Sequence, residues 1–207
     1  MKLIEQHYAM LNRLLPPSRV AHSIRVADAA VRIASKCLPH AIDEIRVAAL
    51  LHDIAKGCPQ ERAIDILQHT DGITSDDIAT VSVHHALIAP AFIREYFPCF
   101  ASTNVLSSAF NHTTGAPDMS VFDQIIFVAD YVEDGRDYSS CIHVRNCLYD
   151  ALDLEIDSSR CIKILRRAVK TILELTVAHI KKNASRINAR TLETLKSFSG
   201  EEFFRWK

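Results

Sequence analysis

The chain has 207 residues, 48% hydrophobic and 24% charged, an ordinary globular balance in a chain long enough to bury a core without disulfides. With 24 basic against 25 acidic residues the net charge is −1, which argues against a polybasic nucleic-acid grip as the main activity. Only 5 glycines and 7 prolines disfavour a turn-rich all-β fold and point to helices joined by short loops.

In chain order, the spacing predicts a first amphipathic helix over residues 3–15, stopped by Pro16-Pro17. Its charges, Glu5 and Arg13, argue against a signal peptide. Ser18 is expected to cap a helix over 18–38, where Val20, Ile24, Ala27, Val31, Ala34 and Leu38 recur at helical spacing. His22 lies off that stripe, in line with Val26 and Ile33. Asp43 is expected to cap a helix over 44–55 that is apolar nearly all round, the mark of a central helix. A short helix follows at 60–69. Ser75 then opens a segment over 76–97 with a bend near Pro90. A helix over 102–110 leads into the loop Asn111-His112-Thr113-Thr114-Gly115, and a second apolar helix spans 119–132. Asp157 or Ser158 caps a long helix to 181, and a last helix spans 189–205. The reading is a single all-α bundle of about eight to ten helices, with a core over about 18–135 and C-terminal helices over 139–205 packing on it.

Six cysteines at 37, 58, 99, 141, 147 and 161 include no CxxC pair, so zinc-finger spacing is absent. Several fall inside helical patterns, where cysteine acts as a small hydrophobe. No run of 18 apolar residues occurs. A cytoplasmic protein with reduced thiols is the expectation.

His52-Asp53 ends one of the two apolar helices and Asp130 ends the other. A buried carboxylate needs a cation beside it, whether Lys, Arg, protonated His or a metal ion. His22, His52, Asp53 and Asp130 form an N/O donor set suited to iron, manganese, cobalt, nickel or zinc. They are expected to meet in one coordination sphere, reached from four helices. His85 and His112 lie between His52 and Asp130 in sequence. Taken singly, each has an ordinary reading: a satisfied core histidine, a helix cap, or, for Lys56, a charge complementing a helix dipole.

Order and spacing together resemble the HD-domain superfamily of helical metal-dependent phosphohydrolases. The segments that carry the resemblance are Pro-Ser-Arg-Val-Ala-His-Ser at 17–23, Leu-Leu-His-Asp-Ile-Ala-Lys at 50–56, His85, Asn-His-Thr-Thr-Gly at 111–115, Phe-Val-Ala-Asp-Tyr-Val-Glu-Asp-Gly-Arg-Asp at 127–137, and Thr-Leu-Glu at 191–193. They cover about residues 10–196 and are similar to the YqeK-like family of symmetrical bis(5'-nucleosyl)-tetraphosphatases. Ala86, Ala116 and Asn188-Ala189 depart from that family's usual Gly, Arg and His-Pro, and are expected on the nucleotide-facing rim. The resemblance implies cleavage of diadenosine tetraphosphate to two ADP, with iron first among the metals and one or two ions. It gives His22, His52, Asp53 and Asp130 to the metal, and lets Asp53 also bridge a second ion and orient the hydroxide. Lys56, Arg19 and Arg136 go to phosphate oxygens. His85 and His112 go to a second metal or to the phosphates. The implied partner is a small nucleotide, not nucleic acid or membrane, with a homodimer left open. Competing readings are hydrolysis of a deoxynucleotide or cyclic nucleotide, and a non-catalytic nucleotide sensor.

Overall fold

The computed structural model describes residues 5–204, which hold eleven α-helices and no strand. The all-α expectation holds, with one helix more than its upper number. Positions 3, 4 and 205 of the expected terminal helices lie outside the described residues.

Helix α1 (Glu5–Leu14) leads to α2 (Pro17–Cys37). Ser18 does not cap α2, because Pro17 already occupies its first turn, where a missing N–H costs nothing. The buried face of α2 takes in His22, Val26 and Ile33 together with Ala27 and Ala34 of the expected stripe, while Ile24 of that stripe is 43% exposed. Helix α3 (Ile42–Leu51) starts from Ala41, with Asp43 in its first turn rather than at the cap. It stops four residues before the expected end, and residues 52–57 wind on as successive turns. After α4 (Gln60–Gln68), Thr74 rather than Ser75 caps α5 (Ser75–Ala79), through a capping box with Asp77.

The segment expected over 76–97 is broken. Thr80 turns its hydroxyl back onto the Asp76 carbonyl at 2.7 Å, in competition with the helical ladder. A 3-10 turn at Val81–Val83 follows, and α6 (His84–Tyr96) restarts with Pro90 inside it. Next come α7 (Thr103–Asn111), capped by Ser102, and α8 (Val121–Val132), capped by a Ser120–Asp123 box. Then α9 (Ser139–Asp153), α10 (Ser158–Lys182, capped by Asp157) and α11 (Ala189–Ser197) complete the order. The last helix is shorter than expected, ending before a turn at 198–200.

The two apolar helices are central, as their patterns demand. α3 packs against α2, α7 and α8, and α8 packs against α2, α7, α9 and α10. Ile45 and Leu51 of α3 and Ile125, Val128 and Ala129 of α8 are fully buried. Among the described residues no helix is long and apolar enough to cross a membrane. All six cysteines are free thiols.

A second anchor ties the C-terminal region down. Asp77 on α5 accepts from Asn188 Nδ2 at 3.1 Å and Arg190 Nε at 2.9 Å, and Asp76 accepts from Ala189 N at 2.7 Å. The Asn188 oxygen caps α11 through Arg190 N at 3.0 Å. Gly115 takes a φ of +67°, and a Cβ there would lie 2.7 Å from Thr194 on α11.

Candidate metal centre

The floor of the site is assembled from three segments, not four helices: α2 carries His22, the end of α3 carries both His52 and Asp53, and α8 carries Asp130. The helix ends set the ring positions. His52 is the C-cap of α3 and its Nδ1 donates back to Ala49 O at 2.6 Å, satisfying a carbonyl of the last turn. His112 repeats the device at the end of α7, with Nδ1 donating to Ala109 O at 2.7 Å. His22 Nδ1 faces Glu133 Oε1 at 3.2 Å. Glu133 is buried, and its other oxygen accepts from Arg25 Nε at 2.5 Å and Gly135 N at 2.7 Å. A Cβ at Gly135 would displace the Arg25 guanidinium from its place beside Glu133.

In all three histidines an acceptor therefore holds the Nδ1 proton. Each Nε2 is turned inward and offers its lone pair when the ring is neutral. These lone pairs face the two aspartates. His22 Nε2 lies 3.0 Å from Asp130 Oδ1 and 3.9 Å from Asp53 Oδ2. His52 Nε2 lies 3.8 Å from Asp130 Oδ1 and 4.0 Å from Asp53 Oδ2. His112 Nε2 lies 3.6 Å from Asp53 Oδ1. Although close to a carboxylate, His22 Nε2 does not meet hydrogen-bond geometry, and His52 Nε2 and Asp53 Oδ1 are likewise buried without a hydrogen-bond partner. Acceptors gathered out of water without a donor are costly, and a cation among them removes that cost. His22, His52 and Asp130 form one triad with ligand atoms within 4.8 Å of one another; His52, Asp53 and His112 form a second. The donor set thus fits a divalent ion, and no thiol takes part.

Burial alone would lower His22, but its contacts with Asp130 and Glu133 raise it. Burial pushes His52 down to about 4, so the ring is neutral near pH 7. Burial alone would raise Asp53, but the His112 contact and the nearby His52 and Lys56 hold it well below the usual carboxylate range. Asp130 is also held low, against the effect of burial, by His22 and Arg136.

Above the floor lies a pocket of about 270 Å³. Arg19, Lys56 and Arg136 reach into it. Arg19 Nη1 donates to Asp53 Oδ2 at 3.2 Å, and Arg136 Nη2 donates to Asp130 Oδ1 at 2.7 Å. Lys56 Nζ lies 3.8 Å from Asp53 Oδ1 and 3.0 Å from His85 Nε2. His85 lies 3.4 Å from Asp53 Oδ1 and 3.3 Å from the Thr113 hydroxyl. Unlike the other three rings, it has no backbone carbonyl or carboxylate on Nδ1, which faces Lys56 at 3.5 Å. Its neighbour His84 is structural, buried and bonded to Ile78 O at 2.9 Å.

Every residue singled out from the sequence, His22, His52, Asp53, Asp130, His85, His112, Lys56, Arg19 and Arg136, is thus gathered at this one place. The departures expected on its rim are not there. Ala86 is fully buried in α6, Ala116 packs against the core, and Asn188 is buried in the α5–α11 anchor. Sequence reasoning missed Glu133 and Arg25, which hold His22, and Ser82, Tyr131 and Thr176, which line the pocket. The spacing Ala-x-x-His, shared by 49–52 and 109–112, was a readable signal for the paired helix-end rings.

The family model of the HD domain matches residues 19–135, more than half of the chain. The chain belongs to the HD-domain family. This HD-domain chain is 25% identical over 186 residues to a symmetrical bis(5'-nucleosyl)-tetraphosphatase of Staphylococcus aureus, covering 89% of this chain and 93% of that one. It is 29% identical over 133 residues to the protein of the same name from Halalkalibacterium halodurans, covering 63% and 69%. Its fold is similar to a crystal structure described as a predicted HD superfamily hydrolase involved in NAD metabolism, from Clostridium acetobutylicum. The TM-score is 0.79, with 25% identity, 96% of this chain and 98% of that one covered. In coarse terms the molecule is a hydrolase of the HD type with a His/Asp group able to hold a metal.

Proposed function

We propose that this HD-domain hydrolase cleaves diadenosine tetraphosphate symmetrically to two ADP, with His22, His52, Asp53 and Asp130 holding a divalent ion, iron first. The observation that carries this reading is the set of tied imidazoles whose Nε2 atoms face Asp53 and Asp130 beneath three cationic side chains. A divalent ion held by these residues would supply a water made more acidic and would neutralise charge on phosphoryl oxygens.

The chain's own residues do the rest. Arg19, Lys56 and Arg136 bind phosphate oxygens as charge-assisted donors, which counters the repulsion between an anionic nucleophile and a polyphosphate. Asp53 presents one oxygen to each side: Oδ2 toward Arg19, His22 and His52, and Oδ1 toward His85 and His112. That arrangement favours a bridging and orienting role for Asp53. Its low pKa makes it a hydrogen-bond acceptor for the attacking water rather than a strong base. His112, with Nδ1 tied like His52, suits a second ligand set; His85, paired with Lys56 and Thr113, suits the phosphate chain. One water adds to a central phosphorus, the central P–O–P bond breaks, and the bridging oxygen leaves on the second ADP.

The test is a nucleotide panel with metal-loaded protein. kcat/KM for diadenosine tetraphosphate should exceed that for deoxynucleoside triphosphates and cyclic AMP by about 10²-fold or more. A preference for either rival moves the activity within the HD hydrolases, and no turnover with any metal supports the sensor reading.

A further inference from the structure

Helix α8 ends without a glycine to close it. Its C-cap, Glu133, has φ −58° and ψ 149°, so the chain leaves the helix extended instead of folding back over the last turn. Carbonyls at such an end need donors from elsewhere. One side chain supplies them. Arg145, in the second turn of α9, donates from Nε to Val132 O at 2.6 Å, and from Nη2 to Glu133 O at 2.5 Å and Arg136 O at 2.7 Å. The Asp134 carboxylate lies 3.6 Å from the same Nε but is 86% exposed, so that ion pair contributes little and the three carbonyls hold the guanidinium. A cation at the C-terminal end of a helix also complements its dipole.

The turn fastened in this way carries two contacts of the metal floor. The Glu133 carboxylate faces His22 Nδ1 at 3.2 Å. The Arg136 side chain donates from Nε to Asp130 O and from Nη2 to Asp130 Oδ1, both at 2.7 Å. Bonds within the turn tie these two residues together: Arg136 N donates to Glu133 O at 3.0 Å, and Gly135 N to Glu133 Oε2 at 2.7 Å. Arg145 itself does not line the charged pocket.

We propose that Arg145 is a positioning residue of the enzyme. By fixing the turn after α8 it sets His22, through Glu133, and Asp130, through Arg136, at the spacing a metal ion needs. It works through the backbone and not on the substrate. The planar fork of a guanidinium spans several carbonyls at once, which the point charge of a lysine does not. The inference rests on the proposed function only for the role of His22 and Asp130 as metal ligands. The hold on the turn is independent of that role.

Two measurements test it: amide exchange of the metal-free protein reads the turn, and chelator competition for manganese reads the floor. Arg145→Ala should speed exchange of Gly135 and Arg136 about tenfold or more and leave α3 and α10 as they are. It should weaken manganese binding about tenfold. Arg145→Lys should show smaller changes in the same two readings, and it carries the test if the alanine variant does not fold. Arg145→Ala combined with Glu133→Gln should weaken manganese by less than the product of the two single effects, because both act on His22. Arg32→Ala removes a different tie between α2 and α9, the ion pair with Asp153 at 3.0 Å, and should change neither reading. Wild-type exchange and manganese affinity in the folded Arg145 variant overturn the proposal. Exchange that rises equally throughout the bundle does so too, since it makes Arg145 a general stabiliser, and so does a double variant that reaches the full product. A wild type that takes up no metal removes the proposed function, while a local rise in exchange in Arg145→Ala still upholds the hold on Glu133 and Arg136.

Discussion

Glu133 is the residue on which His22 depends. Asp130 draws attention by ending an apolar helix, and Arg136 through the role that the family resemblance of its segment gives it. Glu133 carries no such signal, and only the fold brings it against a ring 111 positions away. Outer partners of metal-binding imidazoles contribute about 10–100-fold to metal affinity, so Glu133→Gln should weaken metal binding by about that factor in a chelator competition. Unchanged affinity would reduce Glu133 to a partner of Arg25. Asp53→Ala should lose metal and activity together. Lys56→Ala should keep full metal, because an ammonium is not a ligand, and lower turnover by about 10²-fold, as for loss of a preorganised donor. A near-normal rate with full metal would leave Lys56 as a dipole charge worth about 0.3–1 kcal/mol. His52, Asp53 and Asp130 converge in space because ionisable groups at the ends of apolar helices have few places to go, whereas Arg19 and Arg136 were indicated by the resemblance alone.

At the scale of elements, the apolar periods of α3 and α8 and the length of α10 were legible, since packing and amphipathicity agree there. The break at Thr80 was not, because it depends on a side chain competing for a backbone carbonyl. Nor was the function of the C-terminal Asn188 segment, whose partner Asp77 lies 111 positions away. Burial would raise the Asp77 carboxyl, but the Arg190 side chain, the Thr74 backbone and Asn188 bring it from 3.8 down to about 2. A depressed carboxylate adds stability above its unfolded pKa. The contribution is fully present above pH 4 and is lost as pH falls through about 2. It amounts to about 2 kcal/mol, so Asp77→Asn should flatten the acid limb of a stability–pH curve between those values. An unaltered limb would show that the anchor is not formed in solution. Gly115→Ala forces a Cβ into a left-handed residue against Thr194. The backbone alone costs about 1–2 kcal/mol, and Tm should fall by about 5 °C. No change in Tm would mean that α11 gives way freely.

Taken as a whole, the molecule has a net charge of only −1, yet it gathers Arg19, Lys56 and Arg136 at one mouth over two aspartates and four histidines. In the proposed function it is that local charge pattern, not the overall balance, that would meet a polyphosphate. The composition excluded the wrong classes, and the order of the motifs supplied the family; the hold of Glu133 and Arg25 on His22 needed the structure, because α2 and the end of α8 meet only in the fold. The most direct test strips the protein with a chelator, restores ferrous iron or manganese, and separates the products of diadenosine tetraphosphate by chromatography. The account predicts no turnover in the stripped protein, restoration by the metal, and ADP as the only nucleotide product. Equal amounts of ATP and AMP, or undiminished turnover after stripping, would contradict it.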